Sequence, residues 1–446
     1  MKLLYRYLMC KRIAAMGKTA AMMAQHPTRE ARERYQIEKF NAVWKTAWGN
    51  VPFYREWQVK HGLPDAIADL SELKDWPILT KADLRKLDDF KRMDVPYPSG
   101  RCLTGGSTGE PVCLPSWGDS MAGVSQMLGR RAYGIELGDR TFLLWGHEHL
   151  YGTGIKRKIN AYKRRFKDWL AGWTRVSAYD LGADAMHRAY EKLVRVQPKF
   201  VIGFSPAVLA FVRQNAVNAH KVASVHVILC TAGPLTSDEK QEIVDYFTPI
   251  PNPQSLIPKL CMEYGSVECA IMAYTRPSDG EYNVFWNTHL VQAAKQPDGE
   301  YKNIVTRLTD CYVPLIRYDI GDYLDLGGGM DEAEAARSVL HFKSVKGRPS
   351  EMLNFKCGVS FFGALIGDCV KQVPEVLSSQ IAVNEEENRL EIRVTANEAL
   401  AQASLDLIAN RLGLTVANAD KLTLKVVQVP ELFTTIGGKT PRVVRL

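Results

Sequence analysis

No stretch of the 446 residues stays apolar for the ~20 positions a bilayer crossing needs; the longest uninterrupted runs are short ones such as Pro206–Val212. No transmembrane helix is expected. CxxC pairs are also missing, and the nine cysteines are odd in number and scattered, which argues against a disulfide framework and for a reducing, cytoplasmic setting. The basic, partly apolar Met1–Gln25 lacks a clean apolar block ending in a cleavage site, since Lys11, Arg12 and Lys18 interrupt it, so it is expected to be retained. Neither a GxxxxGK[ST] loop nor a GxGxxG turn occurs, and no repeat or low-complexity segment interrupts the chain. With 46% hydrophobic and 24% charged residues, disordered, collagenous and fibrous classes are excluded. A net charge of +8 favours anionic partners such as nucleotides, coenzymes or acidic lipid surfaces without identifying one.

The length exceeds what one core sustains, roughly 250–300 residues, so at least two domains are expected. Ile37, Phe40, Val43, Trp44, Ala47 and Trp48 recur at three- and four-residue spacings and predict an amphipathic helix over Glu33–Trp48. From Arg101 the pattern changes. Strand-like runs at Thr141–Trp145, Phe200–Ile202, Val225–Cys230 and Lys259–Met262 alternate with helical runs at Ala183–Val196, Ser205–Ala219 and Ser237–Phe247, an alternation that predicts βαβ units and parallel strands. Ser205, followed by Pro206, and Ser237 read as helix caps. Beyond Glu281 only strands are expected, at Tyr282–Trp286, Asn303–Leu308, Val313–Tyr318 and Tyr323–Leu326, before a turn at Gly327–Gly329. The polar break Val345–Ser350 sets a boundary near Gly347, giving a large domain over 1–347 and a small α+β domain over 348–446. Its expected elements are strands near Ser379–Val383, Leu390–Val394 and Leu422–Val427 and a helix over Leu400–Leu412.

Thr104-Gly105-Gly106-Ser107-Thr108-Gly109 is the sharpest local feature: glycines and hydroxyl residues leave backbone N–H groups free to face an anion, so it is a phosphate cradle or an exposed turn. Met262-Glu263-Tyr264-Gly265-Ser266-Val267-Glu268 ends a strand with a ring able to stack on a base and a carboxylate able to hold Mg²⁺. Pro314-Leu315-Ile316-Arg317-Tyr318 leads to Asp322, whose carboxylate suits a ribose diol. Lys439 sits on the glycine-rich tail Thr434–Arg442. Taken singly, Tyr264 also suits a core, Glu268 a helix start, Asp322 a turn and Lys439 a solvated surface.

In this order and spacing the segments resemble the adenylate-forming superfamily of acyl-CoA synthetases and adenylation domains. Within it they look most like the phenylacetate–CoA ligase branch, which shares Val51-Pro52-Phe53-Tyr54 and Pro314–Tyr318. The likeness runs from about Lys39 to the C-terminus. It implies an α/β fold with parallel βαβ sheets, a β-rich part and a small mobile C-terminal lid. It further implies that Thr104–Gly109 hold the ATP phosphates, Tyr264 stacks on adenine beside Gly265 and Ser266, and Ala232-Gly233-Pro234 flank the base. Glu268 would bind Mg²⁺, Asp322 the ribose, Gly347-Arg348 would form the hinge, and Lys439 would reach the α-phosphate. The implied reaction is adenylation of a small carboxylic acid and transfer of the acyl group, by family majority to coenzyme A. Ligation to an amine or sugar in polysaccharide or secondary-metabolite synthesis, and AMP transfer to another acceptor, stay open. Glu110 stands where a lysine is usual, which also keeps a degenerate nucleotide- or lipid-binding protein open; Gly105, Val267 and Ser350 are further departures.

Trp145 and His147 fall where relatives build the acyl pocket, while a metal shared by His147 and His149 lacks a third ligand. Ile155–Trp173 interleaves Lys156, Arg157, Lys158, Lys163, Arg164, Arg165 and Lys167 with Tyr162, Phe166, Trp169 and Trp173. As a helix it suits the inner membrane face, a coenzyme A phosphate or an acidic carrier, or else a solvated face over a packed aromatic stripe. No signature of nucleic-acid binding accompanies it.

Overall fold

The computed structural model describes residues 2–98, 100–103, 113–115, 120–146, 154–178, 180–250, 257–346, 352–370, 373, 375–416, 418–433 and 443–446. The βαβ alternation becomes an eight-stranded sheet. Trp173–Val176, Thr141–Leu144, Phe200–Phe204, Val227–Thr231 and Lys259–Ser266 lie side by side and parallel, and Ala270–Thr275, Tyr282–Val284 and His341–Phe342 extend the last of them antiparallel. The inner parallel strands Thr141–Leu144, Phe200–Phe204 and Val227–Thr231 are almost wholly buried, as strands covered by helices on both faces must be. A second, antiparallel sheet runs His289–Lys295, Tyr301–Arg307, Tyr318–Asp325 and Ser344–Lys346. Its first three strands wrap the same core as the large sheet. The C-terminal residues build their own core around Leu353, Phe361, Ile381, Ile392 and Leu412, below the sheet Thr423–Gln428, Arg389–Ala396, Val376–Asn384 and Val443–Arg445. Phe204 packs against both cores. Among the described residues no helix is long and apolar enough to cross a membrane.

Helices Ala183–Val196 and Ser237–Phe247 form over the predicted spans, and Arg29–Asn50 contains the predicted Glu33–Trp48. Several expectations are corrected. The cap of Ser237–Phe247 is Thr236, one residue before the expected Ser237, and it forms a capping box: its Oγ1 accepts from Glu239 N at 3.2 Å while the Glu239 carboxylate accepts from Thr236 N at 2.9 Å. Ser205 is the first helical residue, not the cap, and its hydroxyl donates to the carbonyls of Thr231 and Gly233 at 3.1 and 2.7 Å. Ser205–Gln214 is shorter than predicted, giving way to the 3₁₀ turn Ala216–Asn218. Residues 313–317 are a buried loop instead of a strand, because Arg317 adopts φ 49° and its N–H is taken by Thr306 Oγ1 at 2.9 Å. Helices do not vanish after Glu281: Glu332–Arg337 forms under an Asp331 cap, too short to leave a periodic signal.

The two motifs behind the branch resemblance form one joint. Pro52 starts the helix Pro52–His61, and the fully buried Tyr54 donates to the Pro314 carbonyl at 2.7 Å and accepts from Ile316 N at 3.4 Å. Phe53 stacks on Phe90 with centroids 4.4 Å apart.

Candidate active site

Three candidate segments lie where parallel strands end, the usual position for ligands in such sheets, while Asp322 comes from the antiparallel strand Tyr318–Asp325. Trp145 follows Thr141–Leu144, Ala232 follows Val227–Thr231, and Tyr264 lies near the end of Lys259–Ser266. Ala232 turns the chain with φ 63°. Gly265 is glycine for a local reason: at the register shift between the strands, a Cβ would collide with the backbone of Ala270 and Ile271. Ser266 Oγ accepts from Cys269 N at 3.1 Å, closing the turn that aims Glu268.

Tyr264 and Asp322, 58 residues apart, meet: the phenol donates to Asp322 Oδ2 at 2.8 Å and accepts from Asn303 Nδ2 at 2.9 Å. Asn303 is fully buried at the register shift between Lys302 and Ile304, and its Oδ1 has no partner among the described residues. Burial, then the negative field of Asp322, raises the Tyr264 pKa well above that of a free phenol, so it stays a donor. Its ring sits edge-on to Tyr282 and Phe342, centroids 6.3 and 6.1 Å away, and that pair stacks at 4.9 Å. Phenylalanine at 264 should therefore lower stability by about 1–3 kcal/mol, because it strips the buried Asn303 amide of its acceptor. Chemical denaturation checks this, and an unchanged midpoint would show that the network carries no weight.

Glu268 is buried at the edge of a 370 Å³ cavity that Ser266, Arg307 and Leu315 also line. Tyr318 Oη donates to its Oε1 at 3.3 Å, and Arg307 Nη1 donates to its backbone carbonyl at 3.1 Å. A buried carboxylate at a cavity edge suits a cation, the modest protein share that Mg²⁺ takes beside phosphates. Cys269 next to it is buried, and burial pushes its thiol up to about 12.

Beneath the site, Glu263 forms a bidentate pair with Arg130, at 2.7 and 2.9 Å, and accepts from Gln126 at 2.9 Å. Trp145 packs on Phe204 at 4.4 Å and borders a 510 Å³ cavity. Arg157, Arg164, Arg165, Arg175, Arg188 and Lys192 line that cavity against two carboxylates, Asp168 and Asp180.

Thr104–Gly109, His147, Arg348 and Lys439 lie outside the described residues, although Leu103 and Cys113, which flank the glycine-rich loop, pair in an antiparallel hairpin. Asn303, Arg307 and Tyr318 escaped the sequence reading as site residues. An amide inside the run Asn303-Ile304-Val305 was the one visible sign.

No protein-family model matches the chain. Protein CapK of Staphylococcus aureus is 22% identical over 381 residues, 83% of this chain and 80% of that one. 2-Hydroxyisobutyryl-CoA ligase in an open conformation, in complex with 2-HIB-AMP and CoA, superposes with a TM-score of 0.56 at 15% identity over 94% of this chain and 92% of that one. The same ligase in the thioesterification state gives 0.55 at 15% identity over 94% and 91%. The chain thus has the fold of the adenylate-forming acyl-CoA ligases.

Proposed function

From that fold we propose that the chain is an ATP-dependent ligase that converts a small carboxylic acid and ATP into acyl-AMP and pyrophosphate, then passes the acyl group to coenzyme A. The convergence of Tyr264, Asn303 and Asp322 is the observation that carries this reading. Such a cluster offers one ring face to a purine and one carboxylate to a ribose diol. In this reading Asp322 accepts from the ribose hydroxyls while Tyr264, held by Asn303, keeps that carboxylate oriented. Ala232-Gly233-Pro234 flank the base, Thr104–Gly109 take the phosphates, and Glu268 holds Mg²⁺, which when bound offsets phosphate charge. Trp145 and His147 shape the acid pocket, and Lys439, on a lid hinged at Gly347-Arg348, serves the first step. The joint of Tyr54 with Pro314 and Ile316 supports the phenylacetate–CoA ligase-like branch.

Coenzyme A is favoured over an amine or sugar by the cavity beside Trp145. Six basic side chains against two acids suit a ligand bearing several phosphates.

Acid-dependent ATP–pyrophosphate exchange, screened over carboxylic acids with aromatic ones first, tests the proposal; a rate no higher than without acid, for every acid, rejects it. Asp322→Ala should raise the ATP KM about 10–100-fold, the loss of one charged hydrogen-bonding group. Consumption of the coenzyme A thiol during turnover identifies the acceptor.

A further inference from the structure

The helix Gly154–Ala171 is built inside out. Ile155, Ile159, Tyr162, Phe166 and Trp169 recur every three or four residues, so they form one stripe. A surface helix ordinarily turns such a stripe to the core. Here it faces solvent: Ile155 is 78% exposed, Tyr162 75%, Trp169 59%, Phe166 55% and Ile159 48%. The opposite face is polar and turned inward, where Asp168 binds Arg175 at 2.9 and 3.1 Å and Arg164 at 3.4 Å, and Ala171 is buried.

Helical spacing puts Lys156, Lys163 and Lys167 along one side of the stripe and Lys158 and Arg165 along the other, all exposed. Asp168 is the helix's only acid, and it is buried. The helix Lys2–Leu8 packs alongside. Its Lys2 pairs with Asp139 and its Arg6 with Glu136, which leaves Leu3 83%, Tyr7 75%, Leu8 52% and Leu4 51% exposed.

We propose that these two helices form one face that seats on an anionic bilayer, with the rings and aliphatic side chains at the acyl boundary and the flanking lysines reaching lipid phosphates. Two rows of cations beside an apolar stripe with aromatic rings match that surface in both charge and depth. A second copy of the chain fits poorly, since a two-fold contact would set lysine rows against lysine rows.

The full chain is mixed with vesicles of phosphatidylcholine alone or of phosphatidylcholine with phosphatidylglycerol, and the bound fraction is read by flotation. Binding to the phosphatidylglycerol vesicles alone, lost at high salt, is expected. Phe166→Ser with Trp169→Ser should weaken it about tenfold or more, and Lys163→Gln with Lys167→Gln about thirtyfold. Circular dichroism should be unchanged in both variants because all four side chains are exposed. Absence of wild-type binding, or equal binding by the variants, overturns the proposal. So does a dimer, formed without vesicles, that Phe166→Ser with Trp169→Ser dissociates. Pyrophosphate exchange, measured alongside, reports on the ligase reading independently.

Discussion

Glu263→Leu should cost about 3–5 kcal/mol of folding stability, because it leaves a buried guanidinium without its counter-charge. Glu263 has 1% of its side chain exposed and Arg130 15%, and the two share a bidentate contact with Gln126 joined to it. Burial alone would lower the Arg130 pKa; the Glu263 charge and the hydrogen bonds to it together outweigh that burial and hold the arginine above its ordinary value. Urea midpoints measure the loss, and a midpoint within error of wild type would refute it. Adding Arg130→Met should restore much of the stability, since two apolar side chains leave no charge to desolvate. The pair also bears on the site. Thr231 Oγ1 donates to the Glu263 carbonyl at 3.0 Å, so the strand that carries Tyr264 is registered against its neighbour just above the ion pair. The surviving fold of Glu263→Leu should bind nucleotide more weakly.

The fold was legible wherever burial is periodic. Ala183–Val196 has a clean apolar face on Met186, Ala189 and Leu193, and its ends follow from that spacing. Caps were harder to read because a hydroxyl has several uses: Ser205 spends its on two carbonyls of the neighbouring connection. Residues 313–317 are as apolar as a strand, yet their backbone is occupied by Tyr54 and Thr306, partners set by tertiary packing. In the site, Tyr264 and Asp322 were readable through family resemblance, whereas Asn303 depends on a register shift that no local pattern encodes. The stripe from Ile155 to Trp169 shows a different limit. Periodicity reports that apolar residues share a face but not whether that face turns to the core or to solvent, and the packed-stripe alternative fails here on exposure.

Lys439→Ala should slow acyl-AMP formation about 10²–10³-fold while leaving thioester formation from preformed acyl-AMP nearly intact. The asymmetry follows from charge. Attack of a carboxylate on the α-phosphorus builds negative charge on phosphate oxygens, whereas thiol attack on the acyl carbon leaves the phosphate as the departing group. The chain on either side of Lys439 is tied to one strand: Phe433 exchanges two hydrogen bonds with the buried Gln380, at 2.9 and 3.0 Å, and Val443 pairs with Ile381. Adjacent positions of Val376–Asn384 therefore hold the described residues on either side of 434–442. The proposed function requires such a lysine in the first step and not in the second. Single-turnover rates for the two half-reactions separate the possibilities. Equal loss in both would mean that Lys439 contributes to a fixed site, and the moving lid would have to be abandoned even if the ligase activity itself held.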